Sequence, residues 1–310
     1  MNNFAKAQEL KVEEAVREWL DIHCDNLSQS TQYTYKMYMQ GHILPVIGDI
    51  PVSYVKQKDV QKVINKMAKR KRSLKTQKNA IGVMSSFFRY ALVNGYIEKQ
   101  PVRDIVKHRT APHQYYIYSE QELQQLLENC RSCKDRLAIR FAARAGLRLS
   151  ETFGLRWKDI TFLSESASVA YIYHTAVAIG NHCIDIKDTP KTAAGCRKVE
   201  LCEELTKELL AIKSAEKPSQ TSYIFCDADN TEKPEMSQNF KRRLNRTIER
   251  AGLPHTRFHD LRHFAATEFM DGGASDKLIA AYLGHSDTNI TRMYQHIRSN
   301  IVPYPLKQGK

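Results

Sequence analysis

The sequence predicts a mainly α chain with a small antiparallel β-sheet in its C-terminal domain, an α+β architecture in two domains. Three observations predict it. A length of 310 residues suffices for two domains at roughly 100–200 residues each. Apolar residues recur at helical spacing through most of the chain, and strict alternation is confined to one stretch, 168–201. With 42% hydrophobic and 26% charged residues the composition is that of a folded protein. It contains no apolar run of the ~18 residues a membrane span needs, and Met1–Lys6 does not open a signal peptide, so the expected location is the cytoplasm.

The elements follow in order. Val12, Val16, Trp19 and Leu20 mark one face of a first helix. Ser28 or Ser30 can cap a second, which carries Tyr33, Met37 and Tyr38. Leu44–Pro51 reads as an irregular interruption. Val60, Ile64 and Met67 open a third helix; Ile81, Met84, Phe87, Phe88 and Leu92 form a fourth, which Gly95 stops. These helices make up a first, helical domain over 1–107, and the aperiodic segment 108–114 is the linker. The second domain, 115–310, begins with the capping box Ser119-Glu120-Gln121-Glu122 and stays helical to about Trp157. Alternation at Val169/Tyr171/Tyr173, Ile184/Ile186 and Val199/Leu201 predicts three short strands. Helices return from Glu203, over 235–251, and from Asp260 to about Tyr294.

Seven cysteines, odd in number and irregular in spacing, argue against a disulfide framework, and Cys130-Arg131-Ser132-Cys133 has no second pair at zinc spacing. A glycine-rich loop of the G-x-x-x-x-G-K-[ST] type is absent, so nucleoside triphosphate chemistry has no motif. Charge is more informative. The net charge is +13, of which residues 1–112 hold +9. Within 56–78, ten basic residues, Lys62, Lys66, Lys69, Arg70, Lys71, Arg72, Lys75 and Lys78 among them, face one acid, Asp59. A charge run is usually a solvated helix face. One this one-sided repels itself unless an anion compensates it, which favours a nucleic-acid partner.

Four segments far apart in sequence carry the chemistry: Ala145-Gly146-Leu147-Arg148-Leu149-Ser150-Glu151; Thr189-Pro190-Lys191-Thr192 between two predicted strands; His259-Asp260-Leu261-Arg262-His263; and Leu283-Gly284-His285-Ser286, followed by Tyr294. In that order and spacing they resemble the catalytic signature of the tyrosine recombinase (phage integrase) family: an arginine, a hairpin lysine, H-x-x-R, a second histidine and a tyrosine. The likeness runs through most of 115–296, and the basic helical N-terminal region is similar to the family's core-binding domain. The resemblance implies a two-domain DNA clamp with the tyrosine recombinase catalytic fold. It also implies double-stranded recombination sites as substrate, a homotetramer on synapsed DNA, and accessory DNA-bending proteins among the partners.

The residue chemistry agrees. Attack on a phosphodiester builds negative charge on the non-bridging oxygens, which the two-pronged donors of Arg148 and Arg262 suit. The resemblance makes Tyr294 the nucleophile of a 3′-phosphotyrosyl intermediate, a link that stores the bond energy so that neither ATP nor a metal is needed. Lys191 suits protonation of the leaving 5′ oxygen, with a simple phosphate contact as the plainer alternative. His259 and His285 would hydrogen-bond the phosphate. Glu151 orients its neighbours or merely caps a helix, and His263 packs or buttresses. His259-x-x-x-His263 has metal-ligand spacing, but Asp260 replaces the glutamate of the zinc protease motif and Arg262 lies between the two histidines. No metal or cofactor is expected. A type IB-like topoisomerase and a non-catalytic DNA-binding regulator are the alternative readings. The apolar tail Ile301–Leu306 is expected to dock on a neighbouring protomer.

Overall fold

A computed structural model of the chain describes residues 9–108, 116–180, 183–187 and 196–284. Two compact units divide it after His113.

The first unit is helical. Helices α1 (Val12–Ile22) and α2 (Gln29–Tyr38) are followed by a π turn, Met39–Ile43, and the short α3 (Leu44–Ile47). The segment read as irregular from Leu44 is thus helical at its start. The π turn lets the chain continue through Gly41 and His42 instead of breaking, and Pro45 sits in the first turn of α3, where its missing N–H costs nothing. Ser28, not Ser30, is the residue before α2, and its hydroxyl pairs with Thr31 Oγ1 at 2.9 Å. Helices α4 (Gln57–Lys69) and α5 (Leu74–Val93) complete the unit. Ser73 caps α5 by accepting from Thr76 N at 3.1 Å, and Gly95 takes the left-handed conformation (φ +73°) that ends it, as the sequence predicts. Trp19, fully buried, joins three helices by stacking on Tyr35 at 5.1 Å and meeting Phe87 edge-on at 5.6 Å. Rings of this size dominate the packing of a small core.

The second unit opens with α6 (Glu120–Glu128), whose capping box closes as expected: Ser119 Oγ accepts from Glu122 N, and Glu122 Oε2 accepts from Ser119 N at 2.7 Å. Helices α7 (Cys133–Ala145) and α8 (Leu149–Thr152) follow. Five strands are described where the sequence reading expected three, and they form two sheets. In the first, β2 (Ser168–Ile172) pairs antiparallel with β1 (Ile160–Phe162) and β5 (Arg197–Leu201); in the second, β3 (Thr175–Ile179) pairs with β4 (Cys183–Lys187). The reading of β2 was also inverted. Ser168, Ala170 and Ile172 face inward, whereas Val169 and Tyr171 are half-buried and Tyr173, beyond the strand, is exposed. The small Ser168 and Ala170 hide the true apolar face, and Ser168 is satisfied there by Thr206 Oγ1 at 2.7 Å. Helices α9 (Glu203–Glu216), α10 (Ser237–Arg250), α11 (Phe258–Asp271) and α12 (Asp276–Leu283) enclose the core. The helix expected from Asp260 to about Tyr294 is broken at Gly272-Gly273, the second glycine having φ +82°.

Candidate active site

The site is built at three helix ends. Gly146 ends α7 in the left-handed conformation (φ +63°), so the chain turns and presents Arg148 as the cap of α8. A Cβ on Gly146 would collide with the Leu283 side chain and would be strained at that φ. Arg257 caps α11 through Asp260, which accepts from its backbone N and its Nε at 3.0 Å each. This sets the helix that carries His259, Arg262 and His263. Gly284, again left-handed (φ +68°), ends α12.

Glu151 lies at the centre, almost fully buried. Its Oε1 accepts from Arg148 Nη1 at 2.6 Å and Arg197 Nη1 at 3.0 Å; its Oε2 accepts from Arg148 N at 2.8 Å and Arg197 Nη2 at 2.9 Å. Arg262 Nη1 stands 3.8 Å from Oε2. Burial pulls the Glu151 pKa upward, but the Arg197 hydrogen bonds and the charges of Arg197, Arg148 and Arg262 outweigh it and hold the carboxyl at about 2. Glu151 thus accepts both from the backbone N that opens α8 and from the side chains of Arg148 and Arg197.

The same three guanidiniums grip the end of α12, each through a different carbonyl. Tyr282 O accepts from Arg197 Nε at 2.7 Å, Leu283 O from Arg262 Nη2 at 2.6 Å, and Gly284 O from Arg148 Nη2 at 2.7 Å. Arg262 also donates to Gly146 O at 2.5 Å. A helix C-terminus leaves its last carbonyls without intrahelical partners and carries partial negative charge, so cations gather there favourably. The Arg148 side chain is 34% exposed and that of Arg262 is fully enclosed.

His259 keeps an exposed edge beside Arg148 and Arg262. Protein packed around its ring, then the Arg262 charge, lowers its pKa. His263 meets the His259 ring edge-on at 4.8 Å and is buried; that burial, then His259, pushes it down to about 4. A cleft of about 410 Å³ adjoins His259, lined by Leu149, Lys241, Asn245, His255 and Arg257 among others.

The structure thus gathers Arg148, Glu151, His259, Arg262 and His263. Lys191, His285 and Tyr294, and the tail from Ile301, lie outside the described residues. The described strands on either side of the lysine segment belong to different sheets: β4 pairs with β3 and β5 with β2. Arg197 was missed. Its signal was present, because period two places it on one face with the buried Val199 and Leu201, a position where an arginine needs a partner. Tyr282 is a poor rival nucleophile. Its hydroxyl donates to Glu200 O at 3.0 Å, and burial pushes its phenol up to about 12.

In the first unit the eight basic residues singled out from the sequence are all exposed on α4, α5 and the turn between them. Lys62 pairs with Asp59 at 3.0 Å, and Lys66 Nζ donates to Pro45 O at 3.3 Å. Buried Gln77 shapes the turn by donating to Arg72 O at 3.0 Å.

The chain belongs to the phage integrase family of tyrosine recombinases: the family's profile matches residues 117–300, and that of the phage integrase central domain matches 12–108. It is accordingly a site-specific DNA recombinase. It is 27% identical over 271 residues to a tyrosine recombinase XerC-like protein of Caldanaerobacter subterraneus subsp. tengcongensis, covering 79% of this chain and 68% of that one. Its fold is similar to the Tn1549 transposon integrase in complex with transposon right end DNA, with TM-score 0.77 and 21% identity over 92% of this chain and 94% of that chain. It is also similar to a lambda integrase tetramer bound to a Holliday junction, with TM-score 0.72 and 17% identity over 96% and 80% of the two chains. Among the described residues, no helix is long and apolar enough to cross a membrane.

Proposed function

We propose that this recombinase cleaves one DNA strand by attack of Tyr294 on a phosphodiester, giving a 3′-phosphotyrosyl link and a free 5′ hydroxyl, and rejoins strands by the reverse step. The observation that carries the reading is the cluster of three guanidiniums around Glu151. One carboxylate cancels one of three positive charges, and two remain for a phosphorane that bears about two negative charges in the transition state. Arg148, the more open of the pair, meets the phosphate first. Arg262 joins it by exchanging one carbonyl for a phosphate oxygen. His259 and His285 hydrogen-bond the same group, Lys191 protonates the leaving oxygen, and His263 buttresses His259. The bond energy stays in the ester, so rejoining consumes no ATP.

Residues 1–107 are assigned as the core-binding domain, 108–114 as linker and 115–310 as the catalytic domain, with the α4–α5 basic run on the DNA backbone. The working assembly is a homotetramer on two synapsed duplexes in the cytoplasm, with DNA-bending proteins as accessory partners. The test uses a duplex nicked beside the cleavage point. A covalent protein–DNA adduct that is lost in Tyr294→Phe supports the reading. Tight binding without any adduct would leave a DNA-binding regulator, and relaxation of supercoiled plasmid without recombinants would indicate a topoisomerase.

A further inference from the structure

We infer that Arg197 is a positioning residue of the recombination site: it holds Glu151 and the end of α12 in one frame, so that Arg148 and Arg262 face the phosphate in register. The inference rests on the phosphodiester reading above. Arg197 spans the site from a third direction. Arg148 comes from the α7–α8 turn, Arg262 from α11, and Arg197 from the first residue of β5, where it pairs with Ile172 of β2. Its side chain is 7% exposed, and every guanidinium nitrogen has an acceptor: Nη1 and Nη2 take both oxygens of Glu151, and Nε takes Tyr282 O. A fork held on three points by a two-oxygen carboxylate and a carbonyl has one orientation, whereas an ammonium could satisfy the same charge in many.

The consequence is mechanical as well as electrostatic. Tyr282, Leu283 and Gly284 are consecutive, and Arg197, Arg262 and Arg148 take their carbonyls in that order. Fixing the first fixes the spacing of the other two. In sequence, Arg197 follows the Lys191 segment and Gly284 precedes His285. One side chain thus ties the strand that follows the lysine to the helix that leads toward the second histidine and the tyrosine. Arg197 itself is too enclosed to meet DNA, which separates its role from that of Arg148.

Removing Arg197 leaves a buried carboxylate facing Arg148 on its own turn and Arg262 from α11. The group that held Glu151 ionised most strongly is then gone, and its pKa rises. The test uses full-length protein and duplexes recovered as covalent adducts of the wild-type chain, re-made with a nick beside the cleavage point. At saturating DNA, Arg197→Ala should lower the first-order cleavage rate by about 10²-fold, the scale of an ångström-sized misplacement, with binding affinity changed less than about threefold. Arg197→Lys, which restores charge but not the fork, should recover about tenfold of that loss. The ratio of Arg197→Ala to wild-type rate should also fall as pH is lowered, because the variant protonates Glu151 at a higher pH than the wild-type chain does.

Arg243→Lys, at an ion pair with Asp135 and Glu235, supplies the comparison for lost stability alone and should leave the rate ratio flat with pH. Wild-type cleavage by Arg197→Ala, or a loss of rate whose ratio does not change with pH, would overturn the assignment. Failure of the wild-type chain to form any adduct would instead remove the phosphodiester reading beneath it.

Discussion

Glu151 places a negative charge beside the proposed phosphate site, and the three arginines explain why. Guanidiniums this close repel one another in a dry pocket, and a buried carboxylate lets them coexist while taking up only part of their charge. Glu151→Gln should therefore destabilise the chain by about 3–5 kcal/mol, read as a fall in the urea midpoint, since it leaves buried cations unpaired. Arg148→Ala should lower the cleavage rate by about 10²–10³ with folding intact. His263 yields a pH effect of defined sign. Its folded pKa of about 4 lies below the ordinary 6.5, so on acidification the unfolded chain takes up the proton first. Stability is full above pH 6.5 and erodes between 6.5 and 4. The loss between pH 7.5 and 5 should be about 2 kcal/mol by urea unfolding, and His263→Gln should lack it. An unchanged slope in that variant would assign the titration to another group.

At the scale of elements, two features carry distinct consequences. The first is the α7–α8 reversal. Gly146→Ala meets both the strain of a left-handed residue, about 1 kcal/mol, and the Leu283 side chain, which must turn within a closed core. Because Gly146 O and Leu283 O both hold Arg262, the variant should lose cleavage rate out of proportion to its loss in melting temperature. The second is α4–α5. Replacing Arg70, Lys71 and Arg72 with glutamine should weaken binding about equally on all sequences and reduce the slope of log affinity against log salt by up to about three, at ~0.9 per phosphate contact. An unchanged slope would place the DNA elsewhere.

These elements also show what could be read beforehand. The caps at Ser119 and Gly95 were legible because capping depends on local chemistry. The phase of β2 was not, because Ser168 and Ala170 owe their burial to partners such as Thr206, 38 residues away. The π turn at Met39–Ile43 has no residue signature, and Arg197 became interpretable only when β5 brought it to Glu151.

For the whole molecule, the net charge of +13 and its concentration in the first 112 residues make DNA association electrostatic at long range. The order of the five signature elements identified the family from sequence, since each is short and only their joint spacing is specific. The charge balance around Glu151 was not legible there, because the three arginines are separated by up to 114 positions and meet only in the fold. The most direct measurement is mass spectrometry of the trapped adduct after nuclease and protease digestion. The account predicts a nucleotide joined through its 3′-phosphate to the peptide containing Tyr294, with the released strand ending in a 5′ hydroxyl. Attachment to any other residue, or through a 5′-phosphate, would contradict it.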